Sequence, residues 1–157
     1  MSDLDLGPPL RTAIIEDDGA VFDGKTFAET LAAWENEPAV FTRRPVPASA
    51  KYPLCVVNPP RAINDIDGLT SRRPVVLLDL AFYGRKSEPG SADDQTRIVE
   101  AQGRRAYVLF HRQKFSVQIE GFSVIDIVAS GPFAGPVDDE GTVARIVTLR
   151  MRLGRNS

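Results

Sequence analysis

The run Pro74-Val75-Val76-Leu77-Leu78-Asp79-Leu80-Ala81-Phe82-Tyr83 constrains the fold more than any other stretch. It is the longest strongly apolar segment of the chain, and its valines and terminal aromatics favour a strand. Successive side chains of a strand point to opposite faces. The even positions, Val76, Leu78, Leu80 and Phe82, make a wholly apolar face that must lie against a core. The odd positions, Val75, Leu77, Asp79, Ala81 and Tyr83, are mixed and predict partial cover, by a partner or a loop. A polar turn over 84–90 follows, and then a helix. This strand–loop–helix unit is expected at the centre of an α+β fold: a small, mostly antiparallel β-sheet with a main helix packed on one face and helices at the N-terminus.

The flanking sequence supplies the other elements. Pro8 and Pro9 suit the first turn of a short helix over 8–17, closed by Asp17-Asp18-Gly19. Thr26-Phe27-Ala28-Glu29 matches a capping box, and Phe27, Leu31 and Trp34 fall on one helical face, so a second helix is expected within 21–38. Residues 39–46 read as a strand that Pro45 and Pro47 confine to an edge. Residues 54–57 read as a short apolar strand, antiparallel to the central one across a long loop over 58–73. The main helix is expected from Ser91, capped with Asp94, to His111. Its apolar residues Ile98, Val99, Ala101, Ala106, Val108, Leu109 and Phe110 should cover the even face. Phe115, Val117 and Ile119 alternate as a strand does, 122–129 is another, and 142–153 the last. One side of that last strand, Ala144, Ile146, Thr148, Arg150 and Arg152, turns polar towards its end. The connection over 131–141 is long for a hairpin and carries Phe133 and the acids Asp138, Asp139 and Glu140.

The 157 residues fit one domain, 1–157, with a real core. Cys55 is the sole cysteine, which excludes an internal disulfide and points to a reducing compartment. The acidic start has no secretory leader pattern, and no apolar run has the length of a membrane span. Charge is uneven. Residues 1–40 carry nine acids and two bases, whereas residues 41–90 carry four acids and eight bases. Such a chain is either an ordinary solvated surface or one whose acidic and basic faces meet in an assembly.

Catalytic constellations are scarce. His111 is the one histidine, at a helix end where it would interact with terminal carbonyls, and Cys55 lies inside an apolar strand. No Cys/His cluster suits zinc, no glycine-rich phosphate loop is present, and the acids at 138–140 lack the spacing of a calcium loop. Neither catalytic residue, cofactor nor metal is therefore expected. Asp79 is expected to face a partner or to pair with an arginine on a neighbouring strand. The arginine pairs Arg43-Arg44, Arg72-Arg73 and Arg104-Arg105 stand without interleaved aromatics, and the net charge is −2, which argues against a dedicated nucleic-acid site.

The order of elements, with Tyr52-Pro53-Leu54-Cys55-Val56-Val57, then Arg73-Pro74-Val75-Val76-Leu77-Leu78-Asp79-Leu80-Ala81-Phe82-Tyr83, then the helix over 92–110, resembles the tail terminator (tail completion) proteins of long-tailed bacteriophages and gene transfer agents. The likeness covers residues 39–153 and the first helix, with 21–38 as a helical insertion. It implies a non-enzymatic virion protein at the tail–neck junction, assembled in host cytoplasm. The implied partners are five further copies in a hexameric ring, the major tail tube protein, and a neck or head-completion protein, with DNA only passing through the lumen and no membrane. Arg43, Arg44, Arg72, Arg73, Asp79, Phe133, Asp138, Asp139 and Glu140 are the residues expected at partner interfaces, the acidic first quarter meeting the basic second quarter of a neighbour. Two other readings stay open: a head-completion or neck connector protein, and a small ligand-binding domain or enzyme with a pocket near Asp79, Tyr83 and His111.

Overall fold

A computed structural model describes residues 5–43, 45–60, 62–64, 74–85, 95–135 and 141–156. The elements run α1 (Gly7–Glu16), α2 (Phe27–Thr30), β1 (Ala33–Trp34), β2 (Glu37–Pro38), β3 (Val40–Phe41), β4 (Leu54–Val57), β5 (Ala62–Asn64), β6 (Val75–Arg85), α3 (Thr96–Phe110), β7 (Phe122–Ala134) and β8 (Thr142–Arg155). The class is α+β. The main sheet has the order β3-β4-β6-β8-β7. Among the described residues only the β3–β4 pairing is parallel. β6 is the central strand: β8 pairs along its whole length, while β4 and β5 share the other edge, opposite its second and first halves.

The period-two pattern of β6 decides where the core lies. Val76, Leu78, Leu80 and Phe82 are all completely buried. Each such side chain contributes about 1.5–3 kcal/mol by leaving water. Val147, Leu149, Met151 and Leu153 extend this face onto β8, and Ile127 and Ala129 extend it onto β7. α3 covers the face with Val99, Ala106 and Phe110. Its buried stripe is Val99, Gln102, Gly103, Ala106 and Phe110, the i, i+3, i+4, i+7, i+11 positions of one helical side. Val108, expected in that stripe, falls on the opposite side and is exposed. Gly103 is buried because β7 approaches there: a Cβ would lie 2.8 Å from that of Pro132.

The N-terminal helices pack on this same face of β6. Leu6, Leu10, Ile14 and Phe27 belong to the main core, and Phe27 stacks on Phe82 with ring centroids 5.7 Å apart. A bidentate pair ties them to α3: Arg105 Nε and NH2 donate to the two carboxylate oxygens of Asp17 at 2.8 and 2.6 Å. That carboxylate holds the Arg105 guanidinium yet further into its charged form.

Three expectations fail locally. The capping box at Thr26 and Glu29 forms, yet the helix expected within 21–38 is one turn long. Ala32 N–H donates to Pro53 O and Ala39 N–H to Ala32 O, so strand-like pairing takes over from Leu31 onward. Trp34 therefore lies in a β1–β2 hairpin, whose loop residues Glu35 and Asn36 both have positive φ as a type I′ turn requires. Residues 115–119 are not a strand. Ser116 bonds back to Gln113 O through N–H and Oγ, which curls the chain, so Val117 and Ile119 are buried while Phe115 points outward. The connection before β8 is shorter than 131–141, because β7 continues to Ala134 through an irregularity between Ser130 and Phe133. The cap at Ser91 and Asp94 lies outside the described residues, within which α3 begins at Thr96.

Candidate partner-binding face

The odd side chains of β6 lie on the sheet surface away from α3. Cross-strand register continues this outer face onto β8 and β7: Val75 is opposite Arg152 and then Asp126, Leu77 opposite Arg150 and then Val128, Asp79 opposite Thr148 and then Ser130. A register shift between Val124 and Asp126 adds Ile125, and Phe133 pairs with Ile146 farther along. A second, smaller core covers the other end of this face. There Ala39, Leu54 and Val56 are buried under Ala32, Trp34, Phe41, Val46, Ala50 and Tyr52, with Tyr83 beside them.

What remains is a mixed surface. Arg150 and Arg152 are exposed, Ile125 is 45% exposed and Phe133 54%, while Val75, Leu77, Asp79 and Val128 are half-buried among the described residues. Thr148 Oγ1 donates to Asp79 Oδ1 at 2.7 Å, so Asp79 has a cross-strand hydroxyl partner. Arg112 NH1 donates to Asp126 Oδ2 at 2.5 Å across the edge of β7. Arg112 N–H donates to Ile127 O, and Ala129 N–H donates to His111 Nδ1, which satisfies the edge of β7 locally. Arginine forks alternating with aliphatic and aromatic side chains, over a rigid sheet, suit contact with another protein surface.

The residues singled out for chemistry are employed structurally. His111 ends α3, stacks on Tyr107 with centroids 4.7 Å apart, and uses Nδ1 as the acceptor just described. Cys55 is fully buried, and burial pushes its thiol pKa far up, away from a reactive thiolate. Among the described residues no three His, Cys, Asp or Glu gather as metal ligands, and no helix is long and apolar enough to cross a membrane.

Of the residues expected at interfaces, Asp79 and Phe133 stand on the outer face and Arg43 is exposed after β3. Arg44, Arg72, Arg73, Asp138, Asp139 and Glu140 lie outside the described residues. Of the pair Arg104-Arg105, Arg104 is exposed and Arg105 is the Asp17 clamp. Arg150, Arg152 and Ile125 are the exposed outer-face residues that arginine pairs and loop lengths do not reveal. The alternation of Thr148, Arg150 and Arg152 against Val147, Leu149 and Met151 was the signal for the two arginines.

No protein-family model matches the sequence, and no curated protein matches it. In three dimensions, over 96% of its own length and 95% of the other's, the chain is similar at a TM-score of 0.65 and 12% sequence identity to a chain from the virion of a native gene transfer agent particle, and it thus shares a virion chain's fold.

Proposed function

We propose that the chain is a non-enzymatic structural protein of a phage-type virion, and within it a tail terminator. Copies form a ring on the head-proximal end of the tail tube, stop its growth and offer the opposite surface to a neck or head-completion protein. The observation that carries the reading is the match in fold to a gene transfer agent virion chain over nearly the whole of both chains. The order of elements that resembled tail terminators supports the finer assignment, because β4, β6 and α3 occupy the segments on which the likeness rested. The outer face, with Arg150, Arg152, Ile125 and Phe133, supplies a contact surface that the described residues leave open.

Tube assembly tests this. A phage-type major tail tube protein is polymerised with and without this chain, and tube lengths are measured by negative-stain microscopy. A terminator shortens the tubes and caps one end. A neck protein leaves length unchanged and binds only tubes already capped. An unrelated binding domain or enzyme does neither.

A further inference from the structure

Phe115 is 81% exposed, the most exposed of the large apolar side chains described. Lys114 Nζ sits 5.1 Å from its ring centroid. Phe115 borders an open groove of about 480 Å³ whose apolar lining includes Val117, Ile119 and Phe122. The Arg155 guanidinium lies over the Phe122 ring at 5.2 Å. The groove's own acid, Glu120, is thus accompanied by cations at Lys114 and Arg155.

The β1–β2 hairpin has the converse features. Its tip is Glu35-Asn36, both exposed, and the Glu37 side chain beside it is 66% exposed although it pairs with Arg11. At its base is a pocket of about 270 Å³ lined by Ala28, Leu31, Ala32, Ala33 and Pro38, with Glu37 also lining it. Its volume exceeds the roughly 150 Å³ in which an enclosed apolar cavity holds benzene, so there is volume enough for a phenyl ring.

We propose that the β1–β2 hairpin of one copy docks in the Phe115 groove of the next, with Phe115 entering the pocket at the hairpin's base. A second copy is the occupant because one chain carries both halves and their charges match: the exposed Glu35 at the hairpin tip meets the exposed Lys114 beside the groove. The halves lie at different places along α3. Gln102 Nε2, in its middle, donates to Thr30 Oγ1 next to the pocket, whereas the groove begins beyond the C-terminus of α3. Different patches meeting head to tail make a heterologous contact, which closes into a ring or continues as a filament. The contact rests on the terminator reading for its setting, but not for its existence.

The test is sedimentation velocity of the full chain over a concentration series up to its solubility limit, with Phe115→Ala and Ala33→Trp alongside. Ala33 is exposed, so the indole fills the pocket without entering the core, and unfolding curves check that both variants fold. The wild type should self-associate, and each variant alone should do so about tenfold more weakly or worse. Mixed in equal amounts, the two variants retain one intact junction and should form a heterodimer that grows no further. A wild type that stays monomeric throughout, a folded variant that associates like the wild type, or a mixture that forms no heterodimer overturns the proposal. Tube capping by Phe115→Ala at wild-type efficiency would leave the terminator reading standing while removing this contact. A working hairpin contact in a chain that ignores tubes would do the reverse.

Discussion

Replacing Arg105 by alanine should destabilise the protein by about 2–3 kcal/mol, between the 0–1 kcal/mol of an exposed ion pair and the 3–5 kcal/mol of breaking a buried one. The estimate comes from the geometry of the clamp. Two charge-assisted hydrogen bonds, at 2.8 and 2.6 Å, join a carboxylate only 4% exposed to a guanidinium 24% exposed. Without Arg105 the Asp17 carboxylate keeps the Gly19 N–H at 3.2 Å as a compensating donor, which is why the loss should fall short of the fully buried case. For a chain of this size the melting temperature should drop by roughly 4–12 °C. Urea unfolding followed by circular dichroism measures it, and a cycle with Asp17→Ala isolates the coupling. The double variant should cost little more than either single one, because the pair acts as a unit. A loss under about 0.5 kcal/mol, the usual range for an unremarkable surface change, would refute the view that this clamp holds α1 against α3.

Gly84→Ala should cost about 1–3 kcal/mol, because the new Cβ would lie 2.5 Å from Val99 Cγ2; an unchanged urea midpoint would show that α3 yields there. Cys55 should resist thiol reagents in the native chain and react once the chain is denatured. The unfolded thiol ionises near its ordinary 9.0 while the buried one keeps its proton, so stability should fall as pH rises past 9.0, by up to about 1.4 kcal/mol per pH unit. Cys55→Ala should lack that component, and identical pH slopes for the two proteins would contradict it. Arg150→Gln with Arg152→Gln should leave stability within about 0.5 kcal/mol, since both are exposed, yet weaken binding to tube ends about tenfold in a co-sedimentation assay.

The parts of the fold that could be read from sequence are those with one dominant signal. β6 has an uninterrupted apolar face of period two, so its burial and its cover by α3 follow directly, whereas the share of that face taken by Phe27 and α1 does not. β4 is likewise bracketed by prolines and buried at every position. Errors arose where a local signal was true but outcompeted. The Thr26 cap is real, and Phe27 and Leu31 are buried at helical spacing, yet hydrogen bonds from Ala32 and to Ala32 redirect the chain into a hairpin. The alternation at 115–119 describes burial correctly for Val117 and Ile119 but not strand pairing, because the turn at Ser116 intervenes. The Asp17–Arg105 clamp joins residues 88 apart and leaves no periodic trace in the sequence. The outer face was half legible: the polar drift of β8 was visible, but only the cross-strand register places Arg150 and Arg152 beside Leu77, Val75, Val128 and Asp126.

Counting the copies of this chain on assembled tail tubes tests the central claim most directly. Image averaging of tube ends by cryo-electron microscopy should show a closed ring of about six subunits at one end and none along the shaft, as a closed set of heterologous contacts requires. Subunits distributed along the shaft, or tubes that lengthen freely with the chain left monomeric in solution, would contradict it.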